Sequence, residues 1–370
     1  QNIVDPNLGW EKSYNTNIGL DMAVLNNRID VNIDYYDTST KDIIWSALVP
    51  VTNGSYNSST QYRTTTNICE SKNNGIELAI TGRPFTAQKA GDFSWTVSAT
   101  YTHSSEELTF LDDGMDQYIN GNKILKKGEP INSFYGYKLA GTWTTAEAED
   151  ATVFNAKPGD LKIVCAGVEK VADGQFRELK TDTDGNEYYV YYDATNKCKA
   201  TDYQQVLGHT QPDWTLGLKN SFTYKGFDLS VYCYWRFGQT INYSMLGRYS
   251  TDLSNNFPKY FDYATPETLD RSHTYPLLTT AQPFNQTDGN GGITYVDGSF
   301  FKVKNITLGY TVPSKLTRKA GIESARIYGT ITNPIVVAHS DLIEDYDPEM
   351  NGDLDYPLTK QLVFGINVQF

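Results

Sequence analysis

Nothing in this chain stays hydrophobic for long. No run approaches the roughly 18 apolar residues of a membrane-crossing helix, so a helical membrane protein is excluded. Positive charge is short as well: 31 Lys and Arg stand against 44 Asp and Glu, a net charge of -13. A nucleic-acid partner needs a basic face to displace counterions, so none is expected. The four histidines, His103, His209, His273 and His339, lie far apart, and no pair has metal-binding helical spacing. HExxH, GxSxG, P-loop and GxGxxG motifs are absent. Carboxylate neighbours such as Glu106-Glu107 and Asp112-Asp113 would face opposite sides of a strand. The reading is a non-enzyme, with no catalytic residue, cofactor or resident metal. Cys69, Cys165, Cys198 and Cys233 match neither a zinc ribbon nor a CxxC motif. A loop disulfide Cys165–Cys198 is open to the chain in an oxidising compartment. Helical periodicity is confined to short stretches, 144–150 and 313–320, the latter stopped by Gly321. No long amphipathic helix exists to cover a sheet, so α/β folds with crossover helices are excluded.

What the chain has is alternation. Ile29, Val31, Ile33 and Tyr35 are separated by Asp30, Asn32 and Asp34. Phe93, Trp95, Val97, Ala99 and Tyr101 alternate with Ser and Thr. Phe227, Leu229, Val231, Cys233 and Trp235 do the same, and so do Leu362, Phe364, Ile366, Val368 and Phe370. Period two means strands with one apolar and one polar face. Aromatic residues make up 13% of the chain, including 27 Tyr, and such residues favour strands and the girdles of membrane barrels. Tyr35, Trp95, Tyr101 and Trp235 are expected in the girdle or the lipid band.

The pattern predicts nine strands, near 13–25, 28–44, 73–84, 92–104, 213–225, 226–237, 299–311, 323–332 and 359–370. Short connections at Asn26-Asn27, 84–92, Lys225-Gly226 and 312–323 alternate with long ones at about 45–72, 105–212, 241–298 and 333–358. Strict alternation of short and long connections is the habit of an outer-membrane barrel, with short turns on one side and long loops on the other. The fold class is therefore all-β: a transmembrane antiparallel β-barrel. A lone nine-stranded sheet would leave two open edges in lipid. The chain, 1–370, is accordingly read as the C-terminal portion of a larger barrel, with 105–212 as a large extracellular or lumenal insertion.

The motifs agree with one family. Asn7-Leu8-Gly9-Trp10-Glu11-Lys12, Asn17-Ile18-Gly19-Leu20-Asp21 and Asp34-Tyr35-Tyr36 resemble a stretch of the SusC/RagA-family TonB-dependent outer-membrane transporters. Asn74-Gly75-Ile76-Glu77-Leu78, Gly128-Glu129-Pro130-Ile131 with Phe134-Tyr135-Gly136-Tyr137, and Pro158-Gly159-Asp160 follow in the family's order. So do Tyr224–Ser230, Asp297–Phe300, Lys304–Tyr310, Asp347-Pro348-Glu349 and the terminal Phe370. The resemblance implies a barrel of about 22 strands, of which this chain supplies the last nine. The family's signal peptide, Ton box, plug and first strands have no counterpart in it. It implies import of oligosaccharides across the outer membrane of a Bacteroidetes-type Gram-negative cell. The implied partners are a SusD-like surface lipoprotein lid, TonB through the missing N-terminal part, the barrel-assembly machinery, lipid and a glycan or peptide ligand. Phe370 would be the barrel-assembly signal. Two readings stand beside this one: import of oligopeptides by the same fold, and a secreted all-β carbohydrate-binding or glycoside-hydrolase module. The apolar outer face opposite a wet inner face argues against the secreted module.

Site candidates come from the loops and inward positions: Asp112, Asp113, Asp116, Tyr118, Trp143, Tyr243, Arg248 and Tyr295. Carboxylates and tyrosine hydroxyls can bind sugar hydroxyls while a ring stacks on the sugar face. Where the family carries an Asp-rich loop, this chain has an expanded segment, 161–200. Its Asp182, Asp184, Gly185 and Glu187 resemble part of a calcium loop without the full ligand spacing, and are read as a solvated turn.

Overall fold

The computed structural model describes residues 3–49, 56–57, 60–112, 115–131, 133–247, 261–277 and 292–370. Nine long strands form one antiparallel meander: β1 (Lys12–Val24), β2 (Ile29–Leu48), β3 (Arg63–Phe85), β4 (Ser94–Leu111), β5 (Trp214–Tyr224), β6 (Phe227–Phe237), β7 (Phe300–Thr311), β8 (Ser324–Ala338) and β9 (Gln361–Gln369). Each pairs with the next in sequence order, and Ile3–Val4 adds a short parallel pairing at Thr64 and Thr65 of β3. The nine predicted strands are the nine observed.

Register turns the alternation into two surfaces. Leu20, Ile33, Leu78, Tyr101, Leu216, Trp235, Phe301 and Val337 lie opposite one another from strand to strand, making a continuous apolar row. Two aromatic groups bound this face. Phe85, Phe93, Trp95 and Phe222 cluster at the short-turn end, with centroid separations of 5.5–6.4 Å. There the Trp95 indole donates to Asn220 Oδ1 at 3.1 Å. Tyr101, Trp214, Phe237, Trp235 and Phe301 gather at the long-loop end. Phe222 and Trp214 lie eight positions apart on β5. That is about 27 Å along a strand, or about 20 Å of height at a tilt of about 40°, close to the ~25 Å apolar band of an outer-membrane barrel.

The opposite face is wet. Thr81 and Ser98 hydroxyls lie 3.0 Å apart, and Thr307 and Thr330 hydroxyls 2.9 Å. Arg326 grips Asp228 with two hydrogen bonds, 2.9 and 2.5 Å, reaching across β7. Gly309 makes this reach possible, because a Cβ there would meet both partners. Gly75 plays a similar part for Tyr36, which lies over it from the neighbouring strand.

The turns follow the expected chemistry with one change. Lys225 and Gly226 both have positive φ, 47° and 87°, as a two-residue hairpin requires. Asn26 and Asn27 also have positive φ, but Leu25 joins them and the loop has four residues, since Val24 pairs with Ile29. The helical expectations hold: α1 (Ala148–Val153) follows a 3-10 turn at Thr145–Glu147, and α2 (Ser314–Thr317) runs on into a 3-10 turn that ends at left-handed Gly321.

The strands run further than expected on the long-loop side. β2 continues to Leu48, β3 begins at Arg63, and β4 reaches Leu111, so the large insertion begins at 112 rather than 105. The extension RTTTNICESK lacks alternation because it stands beyond the apolar face, where water or loop packing meets both sides.

Candidate functional site

Among the described residues, the long connections fold onto one end of the wall around three small cores. Ile68, Cys69, Leu108, Leu111 and Leu125 form one at the loop ends of β3 and β4. Ile241, Leu246, Phe261, Tyr275, Ile293, Val296 and Ile343 form a second, bringing the segments after β6 and after β8 together. Val153, Phe176, Tyr192 and Cys198 form the third, inside the insertion after β4.

A cavity of about 500 Å³ opens where these segments converge. Its wall includes Tyr137 and Leu139 from the insertion, Val206 and Leu207 from strand Gln205–His209, and Asp262, His273 and Tyr295 from the loop between β6 and β7. Leu342, from the loop after β8, closes one side. The volume is that of a small-ligand site, and its lining mixes apolar surface with a few polar groups.

The polar groups are held rigidly. His273 is buried, with Nδ1 at 2.8 Å from Asp262 Oδ1 and Nε2 at 2.9 Å from the Thr268 carbonyl oxygen. Arg271 donates to the same Asp262 oxygen at 3.1 Å. Burial works to raise the Asp262 carboxyl, but His273 and Arg271 outweigh it and hold it below the ordinary carboxylate range. Tyr295 packs at a tilt against Phe134, 5.0 Å between centroids, and accepts from Asn122 Nδ2 at 2.9 Å. Burial pushes the Tyr295 phenol up, and the Asn122 bond offsets part of that. Burial likewise raises Tyr137. The site thus offers a fixed carboxylate and two phenols, of which Tyr137 donates to the Thr201 carbonyl oxygen at 3.1 Å.

The sequence candidates do not meet at one place. Tyr295 lines the cavity. Tyr243 follows the strand that pairs with Tyr295, but packs against Tyr346 at 4.4 Å and the core beneath. Trp143 is buried against Phe154 at 5.5 Å with Lys162 over its ring, and borders a separate cavity of about 380 Å³. Tyr118 packs onto the core at the ends of β3 and β4, while Asp112 and Asp116 stand in the loop beside it. Asp113 and Arg248 lie outside the described residues. Tyr137, Asp262 and His273 were missed. Tyr137 carried a signal in the F-Y-G-Y element, whereas Asp262 and His273 sit in loop sequence without periodicity and are joined only by folding.

The 182–187 turn is an Asx turn. Asp182 Oδ1 accepts from the backbone N–H groups of Asp184 and Asn186, at 2.9 and 2.8 Å, and Oδ2 from Asn186 Nδ2 at 3.0 Å. Both carboxylate oxygens therefore serve the hairpin of Gln175–Thr181 and Glu187–Tyr192.

A second polar centre pins the last long loop to the wall. Lys302, on the inner face of β7 and fully buried, reaches Asp347 Oδ2 at 2.6 Å and Glu349 Oε2 at 2.7 Å. Lys304 also contacts Glu349. Burial favours a raised Glu349 carboxyl, but the two lysines overcome it and the group sits low.

The family model described as TonB dependent receptor-like, beta-barrel, matches residues 1–333. TonB-dependent receptor P3 of Formosa agariphila is 25% identical over 100% of this chain and 35% of its own length. TonB-dependent receptor SusC of Bacteroides thetaiotaomicron is 27% identical over 98% of this chain and 32% of its own. The solved RagAB peptide transporter superposes with a TM-score of 0.73 at 23% identity, covering 99% of this chain and 36% of that one, which speaks to the fold. The chain spans about a third of the length of the relatives it matches.

Proposed function

The chain belongs to the TonB-dependent receptor-like β-barrel family, and from that premise we propose that it is the substrate-gathering part of a SusC/RagA-type importer that takes oligosaccharides across the outer membrane. One observation carries the reading. A single sheet presents an apolar face between two aromatic groups and a hydroxyl-rich face behind it, and the described parts of its long loops fold over the same end. That arrangement suits a barrel with a wet lumen and a built-up mouth. The cavity at the mouth supports a glycan: Asp262, Tyr137 and Tyr295 can meet sugar hydroxyls, and Leu139 and Leu207 offer apolar surface to ring C–H groups. In this reading TonB supplies the energy, and a SusD-like lipoprotein closes over the loops. In this reading Phe370, directly after β9, is the assembly signal, and Phe370→Ser lowers the yield of heat-modifiable barrel.

Native mass spectrometry of the detergent-solubilised complex from its source tests the proposal. The expected result is this polypeptide with a lipoprotein lid and bound glycan mass. Bound peptide mass would replace the substrate class while keeping the importer. A chain that is soluble, folded and alone without detergent would overturn both.

A further inference from the structure

The insertion carries two cysteines that the transport reading leaves unused. Cys165 follows the short strand Leu161–Ile163 and precedes a three-stranded antiparallel sheet, Val168–Ala172, Gln175–Thr181 and Glu187–Tyr192. Cys198 follows that sheet. Its backbone N–H donates to the Val153 carbonyl oxygen at the end of α1, at 2.9 Å, which returns the chain to the insertion's base. The folding of the excursion thus brings its two ends together. Cys198 is 1% exposed, in the core with Val153, Phe176 and Tyr192, and Cys165 packs against the same core. Both thiols are free in the structure and stand as neighbours there.

Two sulfurs alone do not hold a metal, and among the described residues no group of three or more His, Cys, Asp or Glu has metal-holding geometry. Two neighbouring thiols, one buried and one half-buried, in an exported domain have one ready chemistry. We propose that Cys165 and Cys198 are joined by a disulfide in the protein at the cell surface, stapling the ends of the 166–197 excursion. The proposal rests on the outer-membrane reading, since export exposes the chain to an oxidising compartment. Two S–H bonds break and one S–S bond forms. Two electrons and two protons pass to the disulfide of an envelope thiol oxidant, which leaves as its dithiol. The neighbouring Cys165 thiol holds the Cys198 thiol below the ordinary range against burial, with help from Tyr203, so Cys198 is the better nucleophile of the pair. The bond would keep the three-stranded sheet seated on α1 even when its core breathes.

The test uses the full-length protein from the outer-membrane fraction, denatured in excess N-ethylmaleimide without reductant and digested for mass spectrometry. The expected result is one cross-linked pair of peptides carrying Cys165 and Cys198, lighter than the two thiol peptides by two hydrogens, with Cys69 and Cys233 alkylated. Alkylation of both Cys165 and Cys198 in protein recovered from the outer membrane would overturn the disulfide and leave the importer standing. Failure of the importer reading shows differently, as absence from that fraction. In the native detergent complex, reductant should speed trypsin cutting between 166 and 197. The double variant Cys165→Ser, Cys198→Ser should be cut at the raised rate with or without reductant. Equal cutting of oxidised and reduced wild type would remove the stapling role.

Discussion

The wall and the insertion are built for opposite solvents. On the wall, Ile33, Tyr35, Ile76, Ile80, Leu308 and Ile327 stand exposed on the sheet, while Thr, Ser, Asp and Arg line the side behind. In the insertion, Val153, Phe176 and Cys198 are buried, and Glu169, Arg177, Asp182 and Lys199 face outward. One polypeptide thus turns its apolar groups outward over nine strands and inward over about a hundred loop residues. Hydrophobic burial is roughly proportional to the apolar area removed from water. The insertion removes it by packing, whereas the wall requires an apolar medium outside.

The largest effect expected from this contrast is in the insertion. Phe176 packs edge-on against Phe154 at 4.9 Å in the small core. Phe176→Ala should cost about 3–5 kcal/mol there. A core that small cannot absorb the loss, so proteolysis should open the 166–197 region while the heat-modifiable barrel persists. Barrel loss in parallel with insertion opening would mean the two regions are one cooperative unit.

Next comes an exchange of solvents. Leu218 belongs to the apolar face of β5, midway between the two aromatic groups. Leu218→Arg should cost about 2–4 kcal/mol in lipid vesicles, the range for a cation at the bilayer midplane. Leu179→Arg puts the same cation on the solvent face of the insertion, where Leu179 is 48% exposed. Its effect should stay within about 0.5 kcal/mol. Urea unfolding of the refolded barrel measures both, and equal costs would break the comparison.

The same contrast explains what could be read in advance. Wall strands were legible because a membrane-facing sheet writes period two into its residues: Ser94–Tyr101 and Phe227–Phe237 needed no partner to be recognised. Legibility ended where the two solvents stopped differing. Arg63–Lys72 pairs with β2 and β4 yet alternates in nothing. The site was harder still. Asp262 and His273 meet at 2.8 Å because the loop turns between them, and no periodicity encodes a turn of that kind. Trp143, expected to stack on a sugar face, lies in a core, since large aromatic side chains in long loops first serve the loop's own packing.

Acid should separate the wall from its last loop. Glu349 has its carboxyl pKa lowered in the folded state by Lys302 and Lys304, against the opposing pull of burial. Its contribution is therefore fully present above the unfolded value near 4.5 and is lost as pH falls through the lowered folded value. Amide exchange in 341–353 should rise on acidification below about 4.5, while β5 and β6 keep their protection, because their cross-strand ladder is made of backbone hydrogen bonds. Glu349→Gln should already show the raised exchange at neutral pH. Wall and loop opening together would make the latch irrelevant.

The smallest effect probes the wall's inner face. Asp228 and Arg326 form a bidentate pair, yet their side chains are 31% and 29% exposed. If the inner face is wet, water screens the charges, and the coupling in a double-mutant cycle with Asp228→Asn and Arg326→Gln should be about 0.2–1 kcal/mol and fall with salt. A dry interior would give a different signature, because removing one partner would strand an unpaired charge at a cost of about 3–5 kcal/mol. The fully buried Lys302 supplies the internal reference, since the same removal there leaves Asp347 without its cation and Glu349 held by Lys304 alone. A coupling at Asp228–Arg326 as large as the loss at Lys302 would place the lumen on the insertion's side of the comparison, and the wall would then have no wet face at all.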